Sequence, residues 1–188
     1  MAGLGGASTG VAFVIIAVSA VAAAAAPSQT GVRLVGAWEG SDNQPIKQRV
    51  KVYAATCGRT ITSRSWVLDL TDFNPASNQG HGAMSVTTNW DAEFNAADGQ
   101  KLVNDCRKAV TGDEQRKTGS QTAKYQGTWS IDPNYSFVRI YFRQTNCEGD
   151  MCGGLETLDR VFDIYDDGDL MYRRAKKFAP IRFKRRSS

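Results

Sequence analysis

Tyr125-Gln126-Gly127-Thr128-Trp129-Ser130-Ile131-Asp132 is the stretch that decides the fold class. Tyr125, Gly127, Trp129 and Ile131 alternate one by one with Gln126, Thr128, Ser130 and Asp132. A period of two sends successive side chains to opposite faces of an extended chain, so this is a strand with one buried face and one wet face. The same alternation recurs on both sides. Upstream, Val50, Val52 and Ala54 oppose Arg49, Lys51 and Tyr53, and Trp66, Leu68 and Leu70 oppose Val67, Asp69 and Thr71. Met84, Val86, Thr88 and Trp90 oppose Ser85, Thr87 and Asn89, and downstream Val138, Ile140 and Phe142 oppose Arg139, Tyr141 and Arg143. Two further strands are expected around Leu158 to Tyr165 and Leu170 to Arg174, joined as a hairpin by Asp166-Asp167-Gly168-Asp169.

Strands that are wet on one face belong to antiparallel sheets. The expectation is therefore an all-β protein, an antiparallel up-and-down barrel of about eight strands, because closure removes exposed edges. A β-sandwich is the alternative. One segment leaves the period of two. Between Asp98 and Val110, Leu102, Val103, Cys106, Ala109 and Val110 recur at three- and four-residue steps; Asp98 stands where a cap would, and Gly112 lies just past the end. That predicts one inserted helix. The polar stretch from Thr111 to Thr122 reads as an exposed loop.

The 188 residues are 41% hydrophobic, 22% charged and 10% aromatic, the composition of one globular domain. Such a composition excludes intrinsic disorder, and a single long apolar run excludes a polytopic membrane protein. That run, Val11 to Ala26, is short for a bilayer span and resembles the apolar core of a signal peptide, with Ala22, Ala24 and Ala26 available for cleavage. The expected location is secreted or periplasmic; the alternative is a membrane tether formed by an uncleaved segment, since residues 1–10 lack Lys and Arg. Charge is uneven beyond it. Residues 27–172 carry fifteen basic and nineteen acidic side chains, and residues 173–188 carry eight basic and no acidic ones, so the net +4 is an acidic body plus a basic end. The domain reading is a signal segment over 1–26, a barrel over 27–175 and a basic tail over 176–188.

Cys57, Cys106, Cys147 and Cys152 make an even count suited to disulfides in an exported chain. Cys147 and Cys152 enclose a short flexible loop that could close on itself, which would leave Cys57 to Cys106 as a long-range staple. The spacings do not give two close Cys pairs, and His81 has no partner at a ligand spacing, so no metal site or cofactor is assigned. The acidic loop before Leu170 lacks the spaced carboxylates of a calcium loop and reads as a turn.

Gly36-Ala37-Trp38-Glu39-Gly40, at the start of the first strand, resembles the G-x-W signature that opens lipocalins and other calycin barrels. In that family the Trp closes the base of the barrel beneath an Arg of the last strand, a part that the resemblance gives to Gly36, Trp38 and Arg173 or Arg174. Gly127-Thr128-Trp129-Ser130-Ile131 is similar to a mid-barrel strand of lipocalin-like bacterial domains, and Asp163-Ile164-Tyr165 with Leu170-Met171-Tyr172 to their closing strands. The chain departs from the family in placing Thr71-Asp72 early and its helix internally.

For chemistry, His81 sits in a glycine turn with no acid beside it in sequence, and no nucleophile elbow or phosphate loop is present. Asp69 with Asp72 and Asp91 with Glu93 read as solvated strand residues rather than acid/base pairs. The expected function is thus non-catalytic binding of a small apolar or amphipathic ligand, with Trp66, Trp90, Tyr125, Trp129 and Phe142 on the inward faces. The competing expectation is an envelope or extracellular interaction protein with a filled core. Its basic end, Arg182, Lys184, Arg185 and Arg186 above all, would meet anionic lipid, glycan or an acidic protein surface. Nucleic acid would lead only if the chain stayed inside the cell.

Overall fold

The computed structural model describes residues 27–52, 55–94, 99–132, 134, 136–165, 167–174 and 178–187. The segment read as a signal peptide and the Asp98 cap lie outside the described residues. The strands are β1 (Gly36–Asp42), β2 (Ile46–Val52), β3 (Ala55–Asn74), β4 (Gln79–Phe94), β5 (Thr118–Ile131), β6 (Phe137–Gly149), β7 (Thr157–Ile164), β8 (Leu170–Tyr172) and β9 (Ile181–Arg185). From β2 to β9 each pairs antiparallel with the next, and β1 pairs with both β3 and β9, which closes one sheet into a ring. The closed ring excludes the sandwich.

β1 and β2 lie end to end along the long β3, with Asp42 opposite Arg64 and Ile46 opposite Ile61. Pro45 cannot donate to a ladder and sits in the break between them. The wall therefore has eight staves, as the alternation predicts. A bulge between Ile61 and Ser63 inserts one residue into β3 against β4. It carries the inward face from Leu70, Leu68, Trp66 and Arg64 over to Ile61, Arg59 and Cys57.

One end of the barrel is filled. Trp38, Leu68, Leu70, Trp129, Ile131, Val138, Ile140, Phe142, Phe162, Leu170, Ile181 and Phe183 are buried there in one cluster. Helix α1 (Pro27–Leu34) seals this end, with Gly31 against the Phe73 ring and Phe73 stacked on Trp129. Trp38 Nε1 donates to Leu34 O at 3.0 Å. Arg185 of the last strand lies over the Trp38 ring, 5.6 Å from its centroid, and donates to the carbonyls of Arg33 and Val35. Gly36 has φ +139°, and a Cβ there would stand 3.0 Å from the Arg185 guanidinium. A glycine is what this approach requires.

Two expectations change here. The cation over Trp38 is Arg185, one strand beyond Arg173, which instead pairs with Asp163 on the outer surface. Residues 181–185 are likewise no free tail. Ile181 and Phe183 point into the core and Arg182 and Lys184 point outward, so the basic segment is itself the closing strand.

At the open end, α2 (Gln100–Thr111) is inserted between β4 and β5 and packs on β2 to β5. It ends at Gly112, which is left-handed and returns its N–H to Lys108 O, as a helix stop should. Cys106 of α2 is bonded to Cys57 of β3, and these two pack with Ile61, Trp90 and Val110 in a second small core. The stretch expected as a loop to Thr122 is strand from Thr118, paired with Asp91 and its neighbours. Gly119 permits this, because a Cβ there would lie 2.4 Å from Trp90 Nε1. Cys147 and Cys152 form the second disulfide. Both bridges suit an oxidising compartment. Among the described residues no helix is long and apolar enough to cross a membrane.

Candidate functional site

Between the filled end and α2 the barrel holds a cavity of about 390 Å³. Its apolar wall comes from Trp66, Met84, Val86, Ala123, Leu158 and Phe162, which follow one another on the inward faces of β3, β4, β5 and β7. Gln48, Glu156 and Arg160 also line it and are exposed, which places the mouth between β2 and the start of β7.

Above the apolar wall the side chains turn polar. Asp42, Arg64, Thr88 and Gln121 stand opposite one another on β1, β3, β4 and β5, so they form one belt across the inner wall. Arg64, Thr88 and Gln121 line the cavity directly. Asp42 is 7% exposed and accepts from Arg64 Nη2 at 2.9 Å and from Arg174, itself 7% exposed. Burial opposes its ionisation, yet the Gln44 N–H and the two guanidiniums outweigh that and hold its carboxyl below the usual range. Arg64 also lies 5.3 Å from the Trp66 ring centroid. Its Nε and the Oε1 of Gln121 are buried with no hydrogen-bond partner among the described residues.

A second cation sits nearer the mouth. Arg59 Nε donates to Gln48 Oε1 at 2.8 Å, its Nη1 to Met151 Sδ at 3.5 Å, and its guanidinium covers the Trp90 ring at 4.7 Å. Burial pulls its pKa below the ordinary arginine value. Met151 belongs to the loop that the Cys147–Cys152 bridge closes, so that loop touches the rim of the cavity. The Tyr125 phenol, also on the wall, is raised by burial and then by the Glu156 charge against an opposing Arg160, which keeps it protonated as a donor.

Of the five aromatics expected to face a ligand, Trp66 and Tyr125 line the cavity. Trp129 and Phe142 belong to the filled end, where they are 1% and 0% exposed. Trp90 packs beneath α2 and donates Nε1–H to Val110 O at 2.9 Å. The inserted helix takes this part of the inward face for its own packing, which alternation along one strand could not foretell. Arg59, Arg64, Thr88, Gln121 and Arg160 were not singled out by the sequence reading. Their signal was a polar residue in register with an apolar inward face, as Arg64 is with Trp66 and Leu68.

The other candidates are dispersed. His81 and Asp69 share an open hollow on the wall, and among the described residues no hydrogen bond joins the His81 ring to a carboxylate. Glu93 is tied to Thr60 and Lys47 rather than to Asp91. Arg182 pairs with Asp167 and Asp169, whereas Lys184 and Arg186 are exposed. Among the described residues no three His, Cys, Asp or Glu side chains gather as a metal would need. Compared with known proteins, the chain matches no family model, no curated protein and no solved structure.

Proposed function

We propose that this is an exported, non-catalytic binding protein of lipocalin-like type that holds a small amphipathic ligand inside its barrel. The observation that carries the reading is the cavity of about 390 Å³, apolar along one wall and polar along the belt above it. Its size lies in the range of small-molecule sites, and on the order of a dozen waters would fill it. Displacing water from the apolar wall drives entry, and the belt orients the guest. The lipocalin-like relationship draws support from Trp38, which lies under the last-strand cation Arg185 at the end opposite the mouth. Export draws support from the two disulfides and from the apolar run at 11–26.

Titration of the disulfide-intact protein with n-alkyl amphiphiles, read by tryptophan fluorescence, tests the binding. Saturable one-to-one binding is expected, and each added methylene should tighten it about fourfold until the cavity is full, from about 0.8 kcal/mol per buried methylene. Ala123→Phe, which fills the cavity from its wall, should abolish binding in a protein that still melts cooperatively. The guest should be recovered chemically unchanged, and the intact mass of the exported protein should report loss of the segment up to about Ala26. Absence of saturable binding by folded protein refutes the cavity reading.

A further inference from the structure

The polar belt carries more positive charge than it neutralises. Asp42 is one carboxylate between two guanidiniums, those of Arg64 and Arg174, and the other partners of Arg174, the Ala179 carbonyl, the Gln44 amide and the Phe178 ring, are all neutral. One cationic charge therefore remains in a place where Arg174 is 7% and Arg64 21% exposed. Arg59 and Arg160 add to it along the same cavity, against Glu156 alone on the lining. Burying a charge without a counter-charge is costly, and so is burying a donor or acceptor without a partner. Arg64 Nε is such a donor, and Gln121 Oε1 is such an acceptor. Only Thr88 on β4 separates them in the belt, so their backbones lie two strand spacings apart, about 10 Å.

Resting on the binding reading above, we propose that the occupant is an amphiphilic anion. Its charged head sits at Arg64 within the belt, a hydroxyl or N–H on or next to the head donates to Gln121 Oε1, and its hydrocarbon part lies along Trp66, Val86 and Ala123. The head group satisfies both orphaned atoms at once, and its charge balances the cation that Asp42 leaves over. Arg59 and Arg160 stand along the route from the mouth and draw an anion inward.

Four ten-carbon probes with one chain and different heads test this on the full, disulfide-bonded chain by calorimetry below their micelle concentrations. They are decanoate, 2-hydroxydecanoate, decanol and decyltrimethylammonium. Decanoate is expected to bind at least about tenfold more tightly than decanol or the cation, the scale of a charge-assisted hydrogen bond in a dry site, and 2-hydroxydecanoate a few-fold more tightly again. Arg64→Gln should bring decanoate down to the level of decanol, Arg160→Gln should weaken decanoate severalfold, and Gln121→Leu should erase the gain from the hydroxyl. Equal affinity for decanoate, decanol and the cation would overturn the anion proposal and leave the binding reading standing. Binding of none of the four would remove the binding reading itself. The comparison of probes on the unaltered protein decides the matter even if Arg64→Gln fails to fold.

Discussion

Replacing Asp42 with Asn keeps the shape of the side chain but removes the carboxylate that Arg64 and Arg174 both contact. Two guanidiniums, 21% and 7% exposed, would then face each other across a neutral amide. Breaking a buried ion pair from one side costs about 3–5 kcal/mol, and the partial exposure of Arg64 favours the lower figure, about 3 kcal/mol. In a domain of this size that lowers the melting temperature by roughly 10 °C. The pH dependence has a definite sign. The folded Asp42 carboxyl lies below its ordinary value, so its contribution is present above the unfolded pKa near 3.9 and is lost as the pH falls through the folded value. The penalty for Asp42→Asn should accordingly be full at pH 7 and shrink as the pH falls below that unfolded value. Asp132 is depressed in the same direction: burial opposes its charge, but the N–H groups of Phe137, Asn134 and Ser136 win, so some acid sensitivity persists in the variant. Urea unfolding at several pH values measures both effects. A loss under about 1 kcal/mol at pH 7, or an equal loss at pH 7 and pH 2, would refute the account of the belt as a buried ionic cluster.

The two disulfides should differ in what they hold. Cys57–Cys106 closes a separation of 49 residues and Cys147–Cys152 one of 5, which on chain entropy corresponds to about 4 and about 2 kcal/mol. Paired Cys→Ala variants unfolded in urea should fall in that order; a larger loss from the short loop would contradict the chain-entropy estimate. Ending the chain after Tyr172 should prevent folding altogether, because it removes buried Ile181 and Phe183 and bares the edges of β1 and β8. A cooperative thermal transition in that truncated protein would show that β9 does not close the barrel.

Alternation made most of the wall legible. Wherever a strand keeps its parity, as from Tyr125 to Ile131, the inward residues can be counted off the sequence. Where parity slips, the strand disappears from view. The bulge between Ile61 and Ser63 hid the first half of β3, and the break at 43–45 divided one stave into β1 and β2. β9 was obscured for a different reason. Ile181-Arg182-Phe183-Lys184-Arg185 alternates as cleanly as any strand, yet its cations gave it the composition of a tail. Spacing made Cys147–Cys152 with Cys57–Cys106 one of three possible pairings, the one the structure has, and α2 followed from its three- and four-residue steps with Gly112 as its stop. The height at which α2 comes down on the barrel was not legible. That height assigns Trp90 to the helix and Trp66 to the cavity, and it depends on contacts between separate elements, such as Trp90 with Val110 and Cys57 with Cys106, that no pattern along a single element contains.

The basic end of the chain is also where the two halves of the barrel are linked. Arg185 fastens the filled end over Trp38, Arg182 is matched by Asp167 and Asp169, and Arg174 is drawn inward to Asp42 in the belt. The excess cations read from the sequence as an external surface are thus partly structural and partly internal. Arg174 and Arg185 lie eleven positions apart and serve opposite ends, one beside the cavity and one beneath the floor. If the proposed anion binds at Arg64, occupancy should stabilise the folded barrel by mass action, read as a melting temperature that rises with ligand concentration.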